Sequence, residues 1–318
     1  MMKLSIKILF AAVLASGFTG CLKDDELMDP SQSQNVIEFA NSANLTSPTT
    51  SKIPLLTVNI TMDPGGSHNA IVSYSGAHET PQDINVEVAV ADNAVITAYN
   101  TQNSRSYVPL PSNLYNMPAT KVTIKKGERR ALIPINFVNG ADLYNKNYVL
   151  ALTIKSASYG TISGNFGTML YLINGVNRYD GIYTLKYRFG TNDRNYDTQP
   201  VTWFFSDVQL VTTGNTTTVM RNMNVGSPYA HGSTINGLPN SIANFTPVLT
   251  FDLSNNKITN IANSVTSGSP PKTAVPNPAV TDNRADMTSR NIYASFILKE
   301  SGKQDMIIND TLIYKGPR

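Results

Sequence analysis

The chain has 318 residues, a net charge of +3 and 15% charged residues, against about 25% in an ordinary globular chain. Charge so sparse is no nucleic-acid footprint, and Lys125-Lys126 and Arg129-Arg130 flank Gly127-Glu128 as solvated charges at a hairpin tip do. The length suits two domains, and a single cysteine excludes an internal disulfide or a cysteine metal site, so stability must come from the cores.

Residues 1–20 have the layout of a secretory leader. Lys3 and Lys7 supply the positive start, residues 8–15 an apolar run, and residues 16–20 the small residues before a cut. The apolar run is far shorter than the roughly 18 residues that suggest a membrane span. Phe18-Thr19-Gly20-Cys21 resembles the bacterial lipobox, with Phe18 standing where Leu, Val or Ile is usual. The resemblance implies cleavage before Cys21 and a thioether-linked lipid on it; the alternative is a leftover thiol beside an ordinary leader. Two or three acyl chains, at about 0.8 kcal/mol per buried methylene, would hold the chain to a membrane permanently. Leu22-Lys23-Asp24-Asp25-Glu26 resembles the acidic export signal of Bacteroidetes lipoproteins, which implies the exterior side of the outer membrane; otherwise the stretch is a solvated linker. Residues 21–34 form a tether that reaches up to ~40 Å from the lipid at about 3.3 Å per residue.

Residues 35–175 carry strand signals at 53–62, 69–76, 84–91, 121–125, 130–138, 148–156 and 168–173. In 84–90 the apolar side chains fall on even positions, so one face of that strand is buried. Asp63-Pro64-Gly65-Gly66 is a turn. Asp92 caps a short helix over 93–100, and residues 107–111 cross in extended form. Short strands, regular turns and hardly any helix indicate an antiparallel β-sandwich. Asp92, Tyr99-Asn100, Tyr107-Val108-Pro109-Leu110-Pro111, Tyr115 and the runs 122–127 and 148–154, in that order, resemble an Ig-like domain of unknown function. That domain is widespread in Bacteroidetes surface lipoproteins and precedes some of their endoglycosidases. It implies a spacer or interaction module with no catalytic residue to carry over. Asp92, Tyr99 and Tyr107 themselves read as a helix cap and packed aromatics.

Residues 178–318 start a second all-β pattern, a barrel or sandwich, with strands at 182–189, 201–205, 208–213, 217–222, 246–253, 257–265, 291–298 and 305–314. Tyr183, Leu185, Tyr187 and Phe189 share one face of the first strand, and Thr184, Lys186 and Arg188 the other. Turns fall at Gly214-Asn215 and Asn256-Lys257. Residues 222–244 and 267–289 read as long loops, and loops of that length mark function or disorder. Tyr179, Gly181, Tyr183 and the segment 310–318 resemble the C-terminal domain often paired with that Ig-like module. The pair recurs in Bacteroidetes surface lipoproteins of the starch-utilisation (SusE-like) type, encoded beside polysaccharide transporters.

Sugar binding needs flat aromatic faces and polar groups that reach hydroxyls. Trp203, Tyr196, Tyr229 and His231 are the residues that could supply them, although Val201, Trp203 and Phe205 on one strand face read first as core. Residues 193–197 alternate oxygen ligands as a calcium loop does, but Thr198 and Phe204 stand where glycine and glutamate are required, so a hydrated turn is expected. Glycoside hydrolysis needs two opposed carboxylates, and the few glutamates after the tether, Glu38, Glu79, Glu87, Glu128 and Glu300, sit in no motif. His68, His78 and His231 are not at metal spacing, and no nucleophile elbow occurs. The expectation is a non-catalytic, cofactor-free lipoprotein on the outer-membrane surface that binds or presents an oligo- or polysaccharide within a transporter complex. The alternative is a structural or adhesive protein that binds another protein.

Overall fold

The computed structural model describes residues 33–40, 45–62, 65–138, 143–190, 203–223, 229–268 and 271–318. The leader, Cys21, the tether up to residue 32, Tyr196 and the turn 193–197 lie outside the described residues. No helix among those described is long and apolar enough to cross a membrane.

The first half folds into β1 (Val36–Phe39), β2 (Leu55–Thr61), β3 (Ser67–Ser75), β4 (Ile84–Val90), helix α1 (Asn93–Asn103), β5 (Val108–Pro109), β6 (Tyr115–Asn116), β7 (Lys121–Ile124), β8 (Arg130–Phe137), β9 (Tyr148–Ala157), β10 (Thr161–Ile162) and β11 (Thr168–Val176). One sheet runs β10-β1-β3-β8-β6 and the other β2-β11-β9-β4-β7, with β5 beside β9. Ile37, Val72 and Ile133 of the first meet Val86, Leu152 and Ile173 of the second in one dry core. The pairs β1–β10, β2–β11 and β5–β9 run parallel, so the sandwich is mixed where antiparallel pairing was expected throughout. These partners lie far apart in sequence and are joined by crossovers rather than hairpins.

The apolar run of β9 has a direct reading. Leu150 and Leu152 enter the sandwich core, while Val149 and Ala151 pack on the opposite face under Ile96 and Tyr99 of α1. Burial on both faces replaces alternation with a continuous apolar stretch. Asp92 Oδ1 accepts from Ala94 N at 2.7 Å, as an N-cap should, and the helix runs on to Asn103, past the expected end at Asn100. Asn100 fastens the helix to the strand that follows: its Nδ2 donates to Tyr107 O at 2.7 Å and its Oδ1 accepts from Tyr107 N at 3.0 Å.

His68 on β3 supplies a pH-dependent term. Its ring lies 5.5 Å from that of Tyr171, and burial pulls its pKa below the usual 6.5. The fold therefore holds the neutral imidazole, and the unfolded chain takes up the proton first. Stability is full above about pH 6.5 and falls as the pH drops below that value. His68→Gln should flatten that part of the curve in urea titrations between about pH 7 and pH 5. An unchanged slope would mean that His68 contributes nothing to it.

The second half folds into β12 (Gly181–Phe189), β13 (Phe204–Thr212), β14 (Thr217–Asn222), β15 (Gly232–Ile235), β16 (Leu238–Ser241), β17 (Pro247–Phe251), β18 (Ile258–Asn263), β19 (Lys272–Pro276), β20 (Arg284–Ala285), β21 (Ile292–Glu300) and β22 (Met306–Gly316). The order β18-β17-β14-β13-β12-β22-β21-β19 curls into a nearly closed antiparallel barrel. Its seam is held by single links instead of a ladder: Asn263 Nδ2 donates to Lys272 O at 3.0 Å and Ile258 N to Asn283 O at 2.9 Å. Alternation on β12 sends Tyr183, Leu185, Tyr187 and Phe189 inside, as expected.

The segment 222–244 is not the open loop its composition suggests. Within it β15 and β16 form a hairpin turned by Asn236 and Gly237, both at positive φ (51° and 76°), the backbone a two-residue hairpin turn demands. Ala230, Ile242 and Phe245, flanking this hairpin, enter the barrel core. The segment 267–289 likewise contains β19 and β20, both paired with β21.

Candidate functional site

The site is built on the outer face of β12 and β13. Inside the barrel, Phe204 stacks on Tyr187 at 5.4 Å between centroids and lies 5.2 Å from Phe189. That fit sets the phase of the strand: Tyr187 is in register with Phe204, and Lys186 with Phe205. Side chains alternate, so Trp203 and Phe205 must face out, and they are 39% and 63% exposed. This corrects the core stripe expected at Val201, Trp203 and Phe205. The strand begins one residue after Trp203, Val201 lies outside the described residues, and the ring that packs against the barrel core is the half-buried Phe204.

Two cations steady the exposed indole. Lys186 Nζ lies 4.4 Å from the Trp203 ring centroid and Arg188 Cζ 5.0 Å from it. Contacts of this type contribute about 0.5–1 kcal/mol each at exposed sites. The neighbouring carboxylate is already taken. Asp207 accepts from Lys315 Nζ at 3.2 Å and from Thr184 Oγ1 at 3.0 Å, and these bonds, Lys315 first, hold its pKa below the usual carboxylate range. Among the described residues no carboxylate pairs with Lys186 or Arg188. The same face continues across Thr311 of β22 to Tyr293 of β21, 37% exposed, with the Arg284 guanidinium 5.7 Å from its ring.

The other candidates lie elsewhere. Tyr229 is half-buried, its hydroxyl 3.0 Å from Asn244 Oδ1 and its carbonyl accepting from Asn222 Nδ2 at 3.1 Å. His231 is fully buried among the rings of Tyr187, Phe245 and Phe296, with Nε2 2.9 Å from the Asp310 carboxylate, so its imidazole faces no solvent. Tyr196 lies outside the described residues. Phe205, Lys186 and Arg188 were missed by sequence reasoning. The signal for the two cations was present, since they share the outward phase of β12.

A cavity of about 330 Å³ in the sandwich is lined by Tyr74, Tyr159, His78 and Asn35. Asn35 and the His78 backbone satisfy each other there, with Asn35 Nδ2 donating to His78 O at 2.6 Å and Asn35 Oδ1 accepting from His78 N at 3.0 Å. The Asn35 amide is thus engaged. Among the described residues no three His, Cys, Asp or Glu side chains gather as metal ligands would.

A family model for an N-terminal domain matches residues 39–160. No curated protein matches the chain. Among solved structures, a Bacteroides ovatus protein of unknown function is similar at 13% identity and a TM-score of 0.53, covering 89% of this chain and 95% of that one. An auxiliary nutrient binding protein of Bacteroides thetaiotaomicron aligns at 13% identity and a TM-score of 0.38, over 86% and 93%. A proposed carbohydrate binding protein of Bacteroides ovatus aligns at 12% identity and 0.36, over 89% and 98%. Only the first is near enough to show a shared fold. The match over residues 39–160 and that shared two-domain fold bear out the resemblance to Bacteroidetes proteins of the starch-utilisation (SusE-like) type.

Proposed function

We propose that the chain is a non-catalytic glycan-binding protein. It is anchored through a lipid on Cys21 to the exterior side of the outer membrane, where it presents its glycan to a neighbouring polysaccharide-uptake transporter. The observation that carries the reading is the pair Trp203 and Phe205, two aromatic rings left on the open face of a sheet. An apolar ring stays exposed at a cost unless something covers it, and the C–H face of a sugar is a fitting cover. The anchor rests on residues 1–26, read above as leader, lipobox and acidic export signal.

Affinity gel electrophoresis and calorimetry against a panel of polysaccharides test the binding. Retardation by at least one glycan, weakened in Trp203→Ala, is the expected result; silence across the panel would remove the reading. Labelled palmitate should enter the full-length protein and fail to enter Cys21→Ser. Recovery of a protein rather than a sugar from intact outer membranes would favour the adhesive alternative.

A further inference from the structure

The outer face of β12 and β13 carries aromatic rings beside two cations, Lys186 and Arg188, that pair with no carboxylate among the described residues. Along β12, Lys186 and Arg188 project from the same face, and two strand residues span about 7 Å. Trp203 and Phe205 follow the same spacing along the adjacent strand and the residue before it, roughly 4.8 Å away. Trp203 keeps 39% of its surface exposed with both cations in place, and Phe205 keeps 63%. Asp207 is closed off by Lys315, and the guanidinium of Arg284 is paired with Asp282. Among the described residues, the charge left over on this strip is therefore positive. The strip is open and elongated, which suits a polymer lying across it better than a small molecule held in a pocket.

We infer that this face selects acidic polysaccharides, those carrying carboxylate or sulfate groups on their sugars. The inference rests on the glycan-binding reading above and names the substrate class. The aromatic rings take the apolar C–H faces of the sugars. Lys186 and Arg188 take the anionic groups; the planar guanidinium can bind a carboxylate or sulfate through two parallel N–H donors, while the lysine acts as a point charge. A neutral glycan gains only the first of these contacts. Pairing on an exposed strip is screened by salt, so the preference must shrink as ionic strength rises.

The test is calorimetry on the full mature chain with polygalacturonate and chondroitin sulfate as acidic polymers, amylopectin and mannan as neutral ones, and an oligodeoxynucleotide as a non-sugar polyanion. Acidic glycans should bind about tenfold or more tighter than neutral ones at low salt, with most of that margin gone near 0.5 M salt. Lys186→Gln with Arg188→Gln should erase the margin, and Trp203→Ala should weaken every glycan. All three side chains are exposed or half-exposed, and unchanged melting curves would confirm that the variants fold. Neutral glycans bound as tightly as acidic ones, or acidic binding untouched by the double substitution, would overturn the inference and leave glycan binding standing. Equal binding of the oligodeoxynucleotide would overturn it as well, by showing a generic polyanion surface. No binding to any polymer would bring down both readings together.

Discussion

Asp310→Ala should cost the C-terminal barrel about 3–5 kcal/mol, and His231→Ala a similar amount, whereas the double replacement His231→Phe with Asp310→Leu should cost less than either. Both side chains are fully buried, with Nε2 2.9 Å and 3.0 Å from the two carboxylate oxygens. The rings of Tyr187, Phe245 and Phe296 close round the imidazole at 4.9, 5.7 and 5.9 Å, so water cannot take over for a partner that is removed. Deleting one member leaves the other desolvated and unmatched, which is the costly case. Removing both and filling the space with carbon removes the desolvation along with the bond.

The pair also ties two parts of the fold together. His231 stands just before the β15–β16 hairpin, and Asp310 lies on β22 in register with Tyr187, whose hydroxyl donates to Gly232 O at 2.8 Å. Losing the pair should therefore loosen the hairpin from the barrel. Urea unfolding of the two single variants and the double variant decides the matter. If the double change costs as much as the two singles added, the residues act independently and the account fails.

How far the fold could be read in advance depends on the range of the interaction that decides each element. The alternation of β12 and the Asp92 cap are written in neighbouring residues, and they stand where expected. The hairpin at Asn236-Gly237 was equally local and still overlooked, because composition was weighed over the dipeptide. Trp203 is a different case. A stripe of Val, Trp and Phe on alternate positions looks like core, and the neighbouring Phe204 looks like its solvent face. Only the fit of Phe204 against Tyr187 and Phe189, rings brought in by another strand, reverses the phase. A slip of one residue exchanges the two faces of a strand, and local pattern cannot arbitrate when both phases are aromatic. The union of His231 with Asp310, 79 residues apart, leaves no local mark at all.

The last expected result concerns the junction between the two halves. Asp180→Ala should destabilise the barrel by about 3 kcal/mol, lowering its melting midpoint by roughly 6–12 °C, while Arg318→Ala should cost about 1 kcal/mol or less. Asp180 is 7% exposed, and its carboxylate accepts Thr212 N and Thr212 Oγ1, both at 2.8 Å, besides Arg318 Nε at 3.1 Å and Nη2 at 3.2 Å. The bonds to Thr212 are buried, and losing the carboxylate strands a backbone donor there. The Arg318 side chain is 27% exposed, so water replaces much of what it loses. Arg318 has a second tie, its carbonyl accepting from Asn59 Nδ2 at 2.8 Å on β2 of the sandwich. The β13–β14 turn meets the sandwich too, with Asn145 Nδ2 donating to Thr213 O at 2.8 Å and the Tyr144 hydroxyl 3.0 Å from Asn215 Oδ1. Asp180 thus fixes the strand end from which those links reach across, and its loss should also expose residues 177–180 to limited proteolysis. Equal, small effects of Asp180→Ala and Arg318→Ala would mean that the salt bridge, and not the buried bonds to Thr212, is all that the carboxylate supplies.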